Sequence, residues 1–247
     1  MRRAACALAA AGLTALLAPG AGQASQCRQA LALALDVSGS VDAREYRLQS
    51  TGLAAALADA RVRRRLLAMP EAAVRLMIYE WSGPGDHAVL LPWTEIADPV
   101  QIDHIRQQLL ATERRDASPG TALGLAMGFG IAQLDRQAGC WKRTLDISGD
   151  GQSNLGPRPR DVRLLLGGNE GITINALVIG AQAPGLADRH QSEISALSAY
   201  FKAEVIHGPD AFVQAAVGYE DYAEAMALKL LRELDGLVVS EARGAGQ

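Results

Sequence analysis

Apolar residues run without a break from Leu31 to Leu35 and stop at Asp36. A strand covered on both faces reads this way, because neither face meets water. A helix opens next: Asp42 can cap it and Glu45, three residues on, can reach back to complete a capping box. That helix continues to about Asp59, and the basic run Arg61 to Arg65 marks a helix end, where the dipole favours cations. Ala73 to Tyr79 reads as the second strand. His87 to Trp93, after the Gly83-Pro84-Gly85 turn, reads as an antiparallel edge strand, since Pro92 lacks the N–H that a central strand needs. Pro99 to Leu110 is an amphipathic helix. Thr121 to Gln137 is another, with Leu125, Phe129 and Ala132 on one face and glycines that permit close approach to the sheet. Thr144 to Ser148 and Ile172 to Ile179 are strands, separated by a short helix from Arg160 to Leu166. Ser192 to Tyr200 is helical, and Ala203 to Ile206 reads as a short last strand. From Asp210 the pattern is helical to Leu234, with Tyr222, Met226 and Leu230 at four-residue spacing and Gly236 as the stop.

Strands alternating with helices predict an α/β fold: three layers, doubly wound, around a mostly parallel six-stranded sheet with one antiparallel edge strand. Before it, Met1-Arg2-Arg3, the apolar stretch Ala4 to Leu17 and the small-residue site Gly22-Gln23-Ala24 read as a signal peptide, residues 1–24. The apolar stretch falls short of the roughly 20 residues a membrane span needs, although a retained N-terminal anchor is the alternative reading. Gln26 stands where a lipidated Cys27 would need a small residue. The reading is therefore one domain over 25–236, a loose tail over 237–247, and release into a bacterial periplasm or the exterior. Without Arg2 and Arg3 the formal charge moves from −3 to −5. A mildly acidic chain argues against a nucleic-acid partner.

Candidate chemistry lies in Asp36-Val37-Ser38-Gly39-Ser40. One carboxylate and two hydroxyls, at alternate positions on a strand-to-helix turn, can face a single hard cation. Thr121, in Ser118-Pro119-Gly120-Thr121, and Asp150, in Gly149-Asp150-Gly151, offer the other half. Two carboxylates balance a divalent ion, and compact hydroxyl-rich ligation favours Mg²⁺, with Mn²⁺ or Ca²⁺ also admissible. Taken singly, Asp36 can instead be a helix cap and Asp150-Gly151 a turn. The four histidines show no metal-binding spacing. There is no phosphate-binding Gly-x-x-x-x-Gly-Lys loop and no Gly-x-Ser-x-Gly elbow, so the reading is not an enzyme.

Asp-x-Ser-x-Ser, a separate loop Thr and a later Asp-Gly, in this order, resemble the metal-ion-dependent adhesion site of von Willebrand factor A domains. The resemblance runs from about Ala30 to Leu234. Glu80-Trp81-Ser82-Gly83, Ile147-Ser148-Gly149-Asp150-Gly151 and Ile206-His207-Gly208-Pro209 resemble a secreted bacterial branch of unknown function. The resemblance implies that Ser38 and Ser40 bind the ion directly, and that Asp36, Thr121 and Asp150 bind it directly or through water. It implies an open metal position for an Asp or Glu of a protein partner, and hence a divalent-cation-dependent binding module of the cell envelope. A Mg²⁺-dependent hydrolase or phosphotransfer enzyme, or a structural envelope component with a non-recognising metal, are the alternatives. In that fold the strands ending at the two aspartates are neighbours. Cys27 and Cys140, nine and ten residues before Asp36 and Asp150, then share the opposite edge, which implies a disulfide in an oxidising compartment. Glu80 and Trp81 are expected at the rim of the site, with Asn154 there to steady the Asp150 loop. The sequence leaves the oligomeric state open.

Overall fold

In the computed structural model, which describes residues 26–166, 171–180 and 187–235, six strands form one sheet in the order β3-β2-β1-β4-β5-β6. β1 (Gln26–Asp36) lies at the centre, parallel to β2 (Ala72–Trp81) on one side and β4 (Cys140–Gly149) on the other. β5 (Ile172–Ile179) and β6 (Val213–Ala216) continue in parallel, and β3 (His87–Ile96) closes the other edge antiparallel to β2. This is the three-layer α/β architecture read from the chain, with Pro92 in the edge strand beside a register irregularity. The expected signal peptide and the tail from 237 lie outside the described residues.

The side chains of β1 explain the layering. Leu31, Leu33 and Leu35 face the layer of α1 (Ala43–Ala58), α3 (Pro99–Ala111) and α7 (Tyr222–Asp235). Ala30, Ala32 and Ala34 face the layer of α4 (Leu123–Asp135), α5 (Pro159–Leu165) and α6 (Ala187–Glu204). The alanine face suits α4, whose own buried stripe is Leu123, Ala126, Met127, Gly130 and Leu134. Leu125, Phe129 and Ala132 flank that stripe: Ala132 is exposed, Leu125 is half-buried, and half-buried Phe129 packs against the edge of the core. Small residues mark the true face, because the helix comes close enough for Tyr79 Oη to donate to Ala126 O at 2.8 Å. A Cβ at Gly130 would stand 2.6 Å from that hydroxyl and 2.7 Å from Leu145 Cδ1. Gly130→Ala is expected to lower stability by about 1–3 kcal/mol, the usual cost of overpacking, despite alanine's better helix propensity. A urea titration reads the change.

Three stretches differ from the expectation. The basic run forms its own short helix, α2 (Ala60–Leu66), capped by Asp59, with Arg63, Arg64 and Arg65 in its last turn. The last strand is Val213–Ala216, not Ala203 to Ile206. α6 carries on to Glu204, and His207 makes only an isolated antiparallel bridge to Ile174. Gly208 and Asp210 then take left-handed backbone conformations that turn the chain back along β5. Gly218 ends this excursion, so α7 starts at Tyr222, after a 3₁₀ turn at Tyr219–Asp221, and not near Asp210.

Candidate metal-binding site

The sheet order reverses at β1, and the carboxyl ends of β1 and β4 border the crevice where open α/β sheets place their sites. Asp36 ends β1, and Asp150 follows the last residue of β4. Ser38 N donates to Asp36 Oδ1 at 2.8 Å, which folds the turn back on its own carboxylate. Ser38 Oγ lies 3.4 Å from Ser40 Oγ, and Ser40 Oγ donates to Asp150 Oδ1 at 2.7 Å. Four of the five candidate side chains thus form one connected group. The capping box of Asp42 and Glu45 is present and fixes where α1 begins, immediately beyond this turn. Gln49, buried in α1, donates to the Asp36 carbonyl at 3.0 Å.

Thr121 joins through the backbone. Gly39 N donates to Pro119 O at 3.1 Å, so the two loops touch. A Cβ on Gly39 would meet that oxygen at 2.9 Å, which accounts for glycine there. Asn154 Oδ1 accepts from Thr121 N at 2.9 Å and Asn154 N donates to Thr121 O at 2.9 Å, a reciprocal clasp between the Thr121 and Asp150 loops.

The electrostatics suit a cation. Asp36 is fully buried, and its Oδ2 has no hydrogen-bond partner. Burial and then the neighbouring Asp150 push the Asp36 carboxyl up to about 7, against hydrogen bonds from Ser38 that hold it down. Burial also raises Asp150, opposed by hydrogen bonds from Ser40 and Tyr219. An orphaned anionic oxygen beside a second carboxylate and hydroxyls is a donor set that a divalent ion fits. Among the described residues no group of three or more His, Cys, Asp or Glu is placed to hold a metal. Any site here depends on its hydroxyls.

Glu80 and Trp81 do not form a rim. Trp81 is completely buried in the core on the α4 side, and Glu80 is 1% exposed beneath the loop that carries Thr121. The end of β2 is roofed by α1 and by the segment 112–120, which has no helical or strand periodicity. Glu80 accepts from Tyr46 Oη at 2.5 Å and from Arg115 Nε at 2.8 Å. Arg115 also reaches Asp86 Oδ1, and Asp86 Oδ2 accepts from Ser82 Oγ and Ser118 N, each at 2.7 Å. Arg114 donates to Val41 O at 3.1 Å and Val37 O at 3.3 Å, tying the same loop to the Asp36 turn. Tyr219, ahead of α7, donates to Asp150 Oδ2 at 3.2 Å. These positioning residues carry no periodic or motif signal. Only the adjacent Arg114-Arg115 in a polar segment hinted at them.

Asp86 gives this network a pH signature. Hydrogen bonds from Ser118, Ser82 and Arg115 outweigh its burial and hold its carboxyl below the usual range. A depressed folded-state pKa stabilises the fold above the unfolded value, near pH 4, and that contribution is lost as pH falls through the folded value. Asp86→Asn is expected to melt below wild type at pH 7, with the gap closing as pH falls below about 4. Thermal melts across that range read it.

Solved structures place this architecture among von Willebrand A-like folds. The chain is similar to the pilus adhesin SpaC from Lactobacillus rhamnosus GG, with a TM-score of 0.58 and 14% identity over 87% of this chain and 31% of that one. It is similar to proximal thread matrix protein 1 from the mussel byssus, solved with a zinc-occupied MIDAS motif, with a TM-score of 0.56 and 14% identity over 85% of this chain and 48% of that one. It is also similar to an aerotolerance-related membrane protein from Bacteroides fragilis NCTC 9343, with a TM-score of 0.51 and 14% identity over 82% of this chain and 98% of that one. The chain thus spans about half of the mussel protein and under a third of the adhesin. At such identities the likeness is one of fold. No curated protein matches the sequence. The family model described as Protein of unknown function (DUF1194) matches residues 26–238, a span that takes in every described residue, and the chain belongs to that family.

Proposed function

We propose that this protein is a divalent-cation-dependent protein-binding module of the bacterial cell envelope, and that Asp36, Ser38, Ser40, Thr121 and Asp150 hold a Mg²⁺ ion. The observation that carries the reading is the pair of carboxylates, buried Asp36 and half-buried Asp150, linked through Ser38 and Ser40, with an unpartnered oxygen on Asp36. Asp36 and Asp150 supply the charge; Ser38, Ser40 and Thr121 supply neutral oxygens. Such a set leaves coordination positions for outside oxygens, because Mg²⁺ takes about six. When bound, the ion offers a Lewis-acid anchor for an Asp or Glu of a protein partner. Ser40 is exposed beside buried Asp36 and Ser38, so the group opens outward on that side. A metal-occupied MIDAS in a neighbour of the same fold, and an adhesin among the others, support the reading. Among the described residues no helix is long and apolar enough to cross a membrane, which is compatible with release after removal of a signal peptide at 1–24.

Calorimetric titration of Mg²⁺ into chelator-stripped protein tests the site. Saturable binding is expected for the wild type, with loss of at least tenfold in affinity, about 1.4 kcal/mol, in both Asp36→Ala and Asp150→Ala. Wild-type binding that survives in both variants would place the ion elsewhere. No binding at all would overturn the proposal.

A further inference from the structure

A second polar cluster lies inside the sheet–α7 interface and takes no part in the metal reading. Lys229 of α7 is 0% exposed, and Asp146 of β4 and Glu233 of α7 are each 1% exposed. Lys229 Nζ is 2.8 Å from Asp146 Oδ1 and 2.7 Å from Glu233 Oε1. Asn175 Nδ2 of β5 donates to the same Glu233 Oε1 at 2.8 Å, and Asn175 Oδ1 accepts from Phe212 N at 3.1 Å. The Phe212 ring covers the amine, its centroid 5.0 Å from Nζ. One buried amine therefore faces two buried carboxyl groups.

As an ion cluster this is poorly compensated. Glu233 Oε2 and both oxygens of Asp146 lack hydrogen-bond partners, so the close Lys229–Asp146 contact is not aligned as a hydrogen bond. Two carboxylates face one ammonium inside the cluster, and nearby Lys142 donates to the Glu233 carbonyl at 3.0 Å and not to a carboxylate; poorly paired charge is costly in the interior. The same three groups, with one proton added, are the ingredients of a condensation: a nucleophilic amine, a carboxylic acid in contact with it, and a second carboxyl able to move protons.

We propose that Lys229 and Asp146 condense to a side-chain amide that joins α7 covalently to β4, with Glu233 as proton carrier. Glu233 takes a proton from the Lys229 ammonium, and the free amine attacks Cγ of protonated Asp146. The C–N bond forms, Glu233 returns its proton to the Asp146 hydroxyl, the C–OH bond breaks and water leaves; the nitrogen, which still carries two hydrogens, gives one to Glu233, which ends protonated. No oxidant or external reactant is needed. Burial, opposed by Lys229 and reinforced by Glu233, pushes the Asp146 carboxyl up to about 7, so the protonated electrophile is accessible at neutral pH. Asn175 completes the enclosure: its bond to Glu233 Oε1 fixes the proton carrier beside the amine. The product is a neutral amide beside a protonated Glu233, so the Lys229 cation and the Glu233 anion are both gone. The inference is independent of the metal site.

Mass spectrometry of the folded wild-type protein, reduced and alkylated, tests it. The expected intact mass is one water below that of the sequence. Tryptic digestion is expected to yield a branched peptide joining residues 144–160 to residues 203–232, uncleaved at Lys229. Glu233→Gln, of nearly the same size, is expected to show the full mass and separate peptides. The full mass in the wild type overturns the proposal without reliance on any variant. A deficit of one ammonia, with the branch at Asn175, overturns Asp146 as the electrophile. A linked Glu233→Gln protein overturns the role of Glu233.

Discussion

Replacing Cys27 and Cys140 with serine is expected to produce the largest single loss of stability in this protein. The two cysteines are direct register partners on the parallel strands β1 and β4, with Cα atoms 4.5 Å apart, and they form a disulfide. The bond separates residues 113 apart in sequence. In the chain-entropy model, closing a loop of that length removes about 4–5 kcal/mol of freedom from the unfolded chain, and 2–4 kcal/mol is the usual yield. Both sulfurs sit in the core, at 3% and 7% exposure for the two residues, so paired serines would also bury two hydroxyls where sulfur packs now. The double variant is expected to lose about 3–5 kcal/mol. For a domain of this size that is about 10 °C or more in Tm. Reduction of the wild type should reproduce most of the loss. A double variant that melts within about 2 °C of the wild type would show that the strand pairing carries the link's stability without it. The bond also bears on the candidate site, because it fixes the register of the strands whose far ends deliver Asp36 and Asp150.

That pairing shows what could be read from the chain and why. β1 announces itself because its two buried faces leave it continuously apolar, and the capping box announces α1 because the chemistry is local to Asp42 and Glu45. The candidate site residues stood out only in combination, because Ser, Gly and Asp at a strand end or turn are ordinary cap and turn residues when taken singly. What the sequence hid was tertiary. The short strand Val213–Ala216 is only four residues long and half alanine, so it merges with the helix that follows, and its edge position beside β5 makes it a strand. The buried side of α4 is marked by Ala126 and Gly130, not by its largest residues, because the sheet comes so close there. Glu80 and Trp81 pointed to a rim because they end a strand on the correct side of the sheet. The fold covers them with a loop held by Arg114 and Arg115, whose partners are 29 to 77 residues away.

Divalent metal is expected to stabilise the wild type strongly and to leave Asp36→Asn unmoved. Without an ion, Asp36 Oδ2 is buried and unpartnered, and half-buried Asp150 adds a second negative charge. An ion that binds the native state alone and is present at about a hundredfold excess over its Kd adds about 2.7 kcal/mol. That corresponds to roughly 5–10 °C in Tm. Asn at position 36 keeps an oxygen able to accept the 2.8 Å bond from Ser38 N but removes the charge. Chelator-treated Asp36→Asn should therefore melt at or above chelator-treated wild type, since one of two repelling carboxylates is gone. Adding Mg²⁺ should then raise the wild type past it. Differential scanning calorimetry of both proteins, with chelator and with excess Mg²⁺, gives four melting temperatures. The prediction is their crossing order. If Asp36→Asn melts lower than wild type in chelator and the gap does not change with Mg²⁺, Asp36 is only a cap for its own turn. If both proteins gain equally from the ion, the stabilising metal sits away from the crevice between β1 and β4.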